Sequence, residues 1–284
     1  MSFKNYTQRV NQHLDGYLSN QGSLTEAMRY SVLSGGKRFR PILTYTVANV
    51  FDTDLNLADS SACAVELIHA YSLIHDDLPA MDDDDIRHNQ PACHKQFGEA
   101  QAILAGDGLQ ALAFKVLTND KCLTAQVRIA LLQTLTDASF EMAEGQSIDL
   151  SVVSQVVDVE TLKNMHQKKT GALLNCAVKL GTLISDQCSA DDRQILDGFS
   201  KDIGLAYQIQ DDVLDVLTPE GILGKKQNSD ADKDKPTYPA LLGLDEATQT
   251  YQKLYAQALA RLEQLSVNAD ELRKLTQQLQ SRKF

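Results

Sequence analysis

The sequence predicts an all-α protein built as one domain. Three observations carry this. Apolar residues recur at three- and four-residue spacing along most of the chain. Only 6 Pro and 15 Gly punctuate 284 residues, too few for the many turns of a β-sandwich or barrel. No run alternates apolar and polar residues with period two.

The elements follow in order. Ser23-x-x-Glu26 reads as a capping box opening a helix that carries Ala27, Met28, Tyr30 and Leu33. Gly35-Gly36 stops it, and Pro41 suits the first turn of the next helix, which runs to about Asp52. A third spans about 60–77, with Ala64, Leu67, Ile68, Tyr71 and Ile74 in helical register, and Pro79 kinks or ends it. Further helices are predicted over 98–119, 124–145 and 158–181. Ser189-x-x-Asp192 caps a helix carrying Ile195, Leu196, Phe199, Ile203 and Ala206. A last one carries Tyr251, Leu254, Tyr255, Ala258, Leu262 and Leu265. Residues 151–159 read as a loop or short turn rather than a strand. The polar stretch 218–239 reads as a surface loop, not a linker, so 1–284 is taken as a single domain.

Composition narrows the function. At 43% hydrophobic residues the chain can fill a core, and 38 acids against 27 bases give a net charge of −11. That balance argues against nucleic acid or an anionic membrane as the main partner, while a local basic cluster can still hold a small anion. No apolar run nears the ~20 residues of a membrane span, and the first thirty residues lack the apolar core of a signal peptide. Cys63, Cys93, Cys122, Cys176 and Cys188 are odd in number and scattered, which reads as free thiols in a reducing cytoplasm.

Three clusters carry the chemistry. Between Asp76 and Asp85 the chain places acids at 76, 77, 82, 83, 84 and 85, directly after an apolar helix. Carboxylates crowded at the edge of a core repel one another unless a cation neutralises them, and Mg2+ suits such oxygen ligands. A second cluster, Asp211, Asp212 and Asp215, follows another apolar helix, with Asp211 and Asp215 at i, i+4 on one face. Two such clusters predict facing helices with metal between them. The third group is basic: Lys37, Arg38 and Arg40 follow a glycine break at a helix start, as an anion site would. Lys168-Lys169-Thr170-Gly171 interrupts an apolar helix, where a lysine pair suits an anion, whereas Lys225, Lys226, Lys233 and Lys235 alone would read as a solvated face. Together these imply a polyanion bridged through Mg2+, for which a diphosphate on a hydrocarbon tail fits. Zinc held by His69, His75, Cys93 and His94 lacks the short ligand spacing of a structural site.

The run Asp76-Asp77-Leu78-Pro79-Ala80-Met81-Asp82, with the segment Gln208 to Asp215, resembles the paired aspartate-rich motifs of trans-prenyl diphosphate synthases. The stretches from Gly35 to Pro41, Gly145 to Leu150, Lys169 to Leu173 and Gly224 to Pro239 match in the same order, and the likeness is greatest to the bacterial farnesyl diphosphate synthases. The resemblance implies long helices around a central cavity, a homodimer, and condensation of isopentenyl diphosphate with an allylic diphosphate. It implies three Mg2+, with Asp76 and Asp82 holding two and Asp211 a third. Arg87, Lys169, Lys225 and Lys235 would contact the allylic diphosphate. Lys37, Arg40, His69 and His88 would hold isopentenyl diphosphate. Lys169, Thr170 and Gln208 would face the developing allylic cation.

Tyr71, five residues before Asp76, would form the floor that stops growth at fifteen carbons. A geranylgeranyl diphosphate synthase or a non-catalytic prenyl-diphosphate-binding homologue are the alternatives, and a terpene cyclase is disfavoured by Lys37, Arg40 and His69. The chain departs from the family pattern at two places. His88-Asn89 follows Arg87 where Arg-Gly is usual, and Glu144 precedes Gly145 where a glycine is common. The first replaces a charge-assisted contact by a titratable one.

Overall fold

Residues 60–74 are apolar or small with hardly a charged side chain, so no face of that helix prefers water. In the computed structural model, which describes residues 2–19, 21–217 and 235–282, this helix is the buried centre. Helix α4 (Asp59–Asp76) packs against α3 (Phe39–Val50), α6 (Glu99–Asn119), α7 (Ala125–Ser151) and α9 (Ala172–Leu183). Helices α1 (Phe3–Tyr17) and α2 (Ser23–Leu33) cover one side, and α8 (Val159–His166) leads into α9 through a π-helical turn at Gln167–Gly171. Helix α10 (Ala190–Leu217) packs along α9 and against α12 (Leu244–Leu262). Short α5 (Cys93–Phe97) and α11 (Tyr238–Leu242) and the terminal α13 (Asp270–Gln280) complete the set. One large core joins α1 to α7, α9, α10, α12 and α13, and a smaller one, with Leu162 of α8, Leu205, Ile209, Val213 and Tyr238, sits under the far end of α10. No described helix is long and apolar enough to cross a membrane.

Helix ends follow the local chemistry. Thr124 accepts from Val127 N and Asp158 from Thr161 N, satisfying first-turn amides. Ser189 and Asp192 form the predicted cap: Asp192 N donates to Ser189 Oγ at 3.0 Å and Ser189 Oγ to the Asp192 carboxylate at 2.6 Å.

The structure corrects several expectations. Ser23 does not cap α2; it is the first helical residue, and Gly22, at φ 135°, is the cap without a side-chain bond. Helix α7 runs on to Ser151 rather than stopping at 145. The Asp211-Asp212 pair does not end a helix, since α10 continues to Leu217. Two of its three acids, Asp212 and Asp215, are instead sunk into the protein at 3% and 4% exposure. A two-residue hairpin, β1 (Ile86–Arg87) with β2 (Gln90–Pro91), was not foreseen, because pairs this short leave no periodicity. It is closed by His88 and Asn89, both left-handed at φ 51° and 61°.

Candidate active site

The loop after α4 explains the spacing of the first acid cluster. Asp77 N donates to Leu73 O, ending the helix, and Asp82 N then donates to Asp76 O at 2.8 Å. The chain thus folds back so that Asp82 sits beside Asp76. Burial pushes the Asp76 carboxyl up to about 6; Lys169 and Arg87 pull against this, while Asp82 and Asp77 add to it.

A lattice of charges extends from that pair. Lys235 Nζ lies 2.8 Å from Asp82 and 3.0 Å from Asp149, and Lys169 Nζ lies 2.6 Å from the same Asp149 oxygen. Asp149 is 4% exposed. Burial alone would raise its pKa, but Lys169 and Lys235 outweigh burial and hold it below the ordinary carboxylate value. Burial opposes the Lys235 charge in turn, and Asp149 and Asp82 raise it regardless.

The π-helical turn supplies Lys169 and Thr170. It fits because α7 carries no side chain at Gly145: a Cβ there would stand 2.2 Å from Lys169 N. The neighbouring departure, Glu144, faces outward and pairs with Lys168 at 2.8 Å, so a residue other than glycine is accommodated there. Thr170 Oγ1 donates to Gln208 Oε1 at 2.8 Å, and Gln208 Nε2 to Asp212 Oδ1 at 3.3 Å. The turn therefore links the two acid clusters, although α4 and α10 do not share an extended contact.

Around α10, Asp212 also accepts from Tyr238 N at 3.1 Å and lies 3.4 Å from His166 Nε2. Asp211 turns the other way and is 43% exposed, with Arg282 Nη1 2.6 Å from its carboxylate. Arg282 also lies over the Tyr207 ring at 3.8 Å and donates to Gln210 Oε1 and Tyr207 O.

The basic residues line a cavity of about 510 Å3 that includes Lys37, Arg40, His69, Arg87, His88 and Tyr207. Arg40 Nε is buried without a hydrogen-bond partner among the described residues, as a cation awaiting an anion would be. Burial pushes His69 well below its ordinary pKa, and Arg40, His88 and Arg87 add to this. His88 is lowered too, first by burial, then by Arg87 and Arg38. Arg38, grouped with these cations in sequence, also lines the cavity but has its charge already paired: at 5% exposure it pairs with Glu66 at 2.8 Å and binds Asn11 and Val32. Arg87 is held by Asp77 through both Nε and Nη2.

A second cavity, about 380 Å3, shares Arg40, His69 and Leu73 with the first. Asp76, Lys169 and Thr170 line it together with Met81, Met142, Leu150, His75 and Tyr71. Tyr71 is 8% exposed, and its ring meets His75 edge-on at 5.8 Å.

The fold therefore gathers Asp76, Asp82, Lys169 and Lys235 at one place, Lys37, Arg40, His69, Arg87 and His88 at another, and joins Thr170 to Gln208. Lys225 lies outside the described residues. The disfavoured zinc set of His69, His75, Cys93 and His94 is not brought together; the described His/Cys/Asp/Glu group of ligand geometry is Asp83, Asp85 and His94. Sequence reasoning missed Asp149, His166, Tyr207 and Arg282 as site residues. Asp149 lies in the segment from Gly145 to Leu150 whose resemblance was noted, so a signal existed. Arg282 has none, since its place depends on how α13 docks.

A sequence profile of the polyprenyl synthetase family matches residues 21–278. The farnesyl diphosphate synthase of Escherichia coli is 46% identical over 247 residues, covering 86% of this chain and 83% of that protein. The farnesyl diphosphate synthase of Haemophilus influenzae is 45% identical, with 90% of each chain covered. Among solved structures, a geranyltransferase from Legionella pneumophila superposes with a TM-score of 0.89 at 37% identity, over 99% of this chain and 96% of that one. A match spanning nearly the full length, with relatives this similar over the same span, establishes that the chain belongs to the polyprenyl synthetase family.

Proposed function

We propose that the chain condenses isopentenyl diphosphate with dimethylallyl or geranyl diphosphate to give (E,E)-farnesyl diphosphate, as a single synthase domain over 1–284. The observation that supports this most is the pair of cavities with a common wall. One is headed by Asp76 and Lys169 and floored by Tyr71; the other is ringed by Lys37, Arg40, His69 and His88. Such a pair suits two diphosphates whose hydrocarbon ends must meet.

Asp76, Asp82 and Asp211 offer hard oxygen donors, which fit Mg2+ rather than a softer ion. When bound, three Mg2+ would supply the positive charge that stabilises diphosphate leaving the allylic carbon. The chain's own residues do the rest. Lys169, Lys235, Arg87 and Lys225 bind and orient the allylic diphosphate. The oxygens of Thr170 and Gln208 and the backbone at Lys169 face the allylic cation and stabilise it. Met81, Met142, Leu150 and Tyr71 exclude water that would quench it. Lys37, Arg40, His69 and His88 hold isopentenyl diphosphate so that its double bond points at that cation, and the departing diphosphate takes the proton. No protein nucleophile takes part.

Exposed Ile103 and Leu104 on α6 and Ile129 and Phe140 on α7 support a homodimer, since apolar groups this open to water favour a partner surface. A cytoplasmic setting agrees with five free cysteines. The intact acid clusters weigh against a non-catalytic homologue, and the bulk of the Tyr71 ring in the cavity wall weighs against a geranylgeranyl product. The deciding experiment incubates purified protein with Mg2+, isopentenyl diphosphate and each allylic starter, and sizes the products. Fifteen-carbon product from both starters is expected; no condensation would overturn the reading.

His88 should make isopentenyl diphosphate binding sensitive to pH. In the free protein His88 and His69 are held below the ordinary histidine value, and a bound diphosphate favours their charged forms. Binding therefore takes up protons. The isopentenyl KM should rise as pH climbs from the free toward the bound pKa of each ring and level off beyond it. His88→Arg should lower that KM at neutral pH and remove part of the slope, leaving what His69 contributes, with the allylic KM little changed. Identical profiles for wild type and His88→Arg would place His88 outside the binding site.

A further inference from the structure

Three side chains that take no part in the proposed reaction meet at the base of the β1–β2 hairpin. Ligand atoms of Asp83, Asp85 and His94 lie within 4.8 Å of one another. The two aspartates are exposed and His94 is 6% exposed. Neither Nδ1 nor Nε2 of His94 meets a hydrogen-bond partner among the described residues. A buried ring without partners is a costly arrangement, and here it is turned toward two carboxylates without touching them. Around a tetrahedral ion with bonds near 2.0–2.1 Å, ligand atoms stand about 3.3 Å apart. Two exposed aspartates can close the difference by rotating their side chains.

The backbone holds the group in place before any ion arrives. Ala92 N donates to Asp85 O at 2.8 Å, and the pairing of Ile86 with Pro91 and Arg87 with Gln90 fixes the hairpin that separates Asp85 from His94. Lys95 Nζ lies 2.7 Å from Asp85 Oδ1. That pair is exposed, so it is a weak competitor.

We propose that Asp83, Asp85 and His94 bind a divalent cation of the zinc class, at a site that uses neither Asp76 nor Asp82. Asp82, the neighbouring acid, lies on Lys235 and is not part of the group. One imidazole with two carboxylates suits Zn2+, Co2+ or Ni2+, whereas Mg2+ prefers oxygen alone. The ion ties the hairpin to α5, and the hairpin carries Arg87 and His88 into the basic cavity. The inference does not depend on the proposed reaction.

The test uses full-length protein stripped with chelator and then saturated with Mg2+, so that oxygen-only sites are filled. Calorimetric titration with Zn2+ should find one site per chain, and Co2+ should give a visible ligand-field spectrum. His94→Gln should weaken Zn2+ by more than about tenfold, the least expected when even an outer partner of a metal is lost. The double variant Asp83→Asn with Asp85→Asn, both on the surface, should do the same and guards against misfolding of the buried substitution. Lys95→Met should tighten Zn2+, and Zn2+ should raise the Tm of wild type but not of His94→Gln. Asp76→Asn should lose turnover and keep the Zn2+ site, which separates this inference from the proposed function. No Zn2+ binding over saturating Mg2+, unchanged affinity in the double variant, or loss of the site in Asp76→Asn would overturn it.

Discussion

Asp76→Ala should lower turnover by at least about 10²–10³-fold, the scale set by removing one group that stabilises transition-state charge. Asp211→Ala should act in the same direction, and chelation of divalent metal should abolish activity outright. The structure adds a second, opposite expectation. Asp76 is half-buried, with its carboxyl raised to about 6, so its charge is held at the expense of folding, as functional carboxylates often are. Asp76→Ala should therefore keep or slightly raise the Tm while turnover falls. Steady-state rates and thermal unfolding of the same preparation check both. Full turnover in either mutant, or in chelator, would remove the electrostatic account.

Tyr71→Ala should shift the main product beyond fifteen carbons. The ring lines the cavity that Asp76 also lines, and it meets His75 edge-on at 5.8 Å. His75 is held on the other side, its ring packed against Gly106, where a Cβ would stand 2.1 Å from Nε2, and its Nε2 3.1 Å from Ile103 O. Removing the phenol thus opens the floor without letting His75 refill it. A longer tail would gain roughly 0.8 kcal/mol for each methylene it buries. The same change should cost about 3–5 kcal/mol of stability as a large-to-small core substitution, so product sizing is done below the mutant's Tm. If the folded mutant makes only fifteen-carbon product, the ring is packing and another residue sets length.

Periodicity was enough to read α4, α6 and the course of α10, because each buries a broad apolar stripe. It was blind to α5 and the hairpin, which are too short to have a period, and to the end of α7, where Gln146 and Asp149 are polar yet buried. The acid clusters were visible as charge without solvent-seeking context. Their wiring was not: Asp149 gathers Lys169 and Lys235 from segments 20 and 86 residues away, a pairing no local pattern encodes. Arg38 misled for the opposite reason. Adjacent to Lys37 it looks like one more ligand, but its left-handed backbone, φ 51°, turns it inward to Glu66.

The π-helical turn at Gln167–Gly171 bears on how this chain can change over generations. Such a turn is an α-helix with one residue too many held in the same span. Deleting a residue from it would let α8 run into α9 with ordinary bonds, so the edit is mild for folding. Yet the residues left in the turn would fall back onto regular α-helical positions and point in new directions. Lys169 would then lose its place opposite Asp149, or Thr170 its place opposite Gln208. The most regular version of this helix is thus a neighbouring sequence that folds well and works badly, and the irregularity is a trait that purifying selection, not stability, must keep in the lineage.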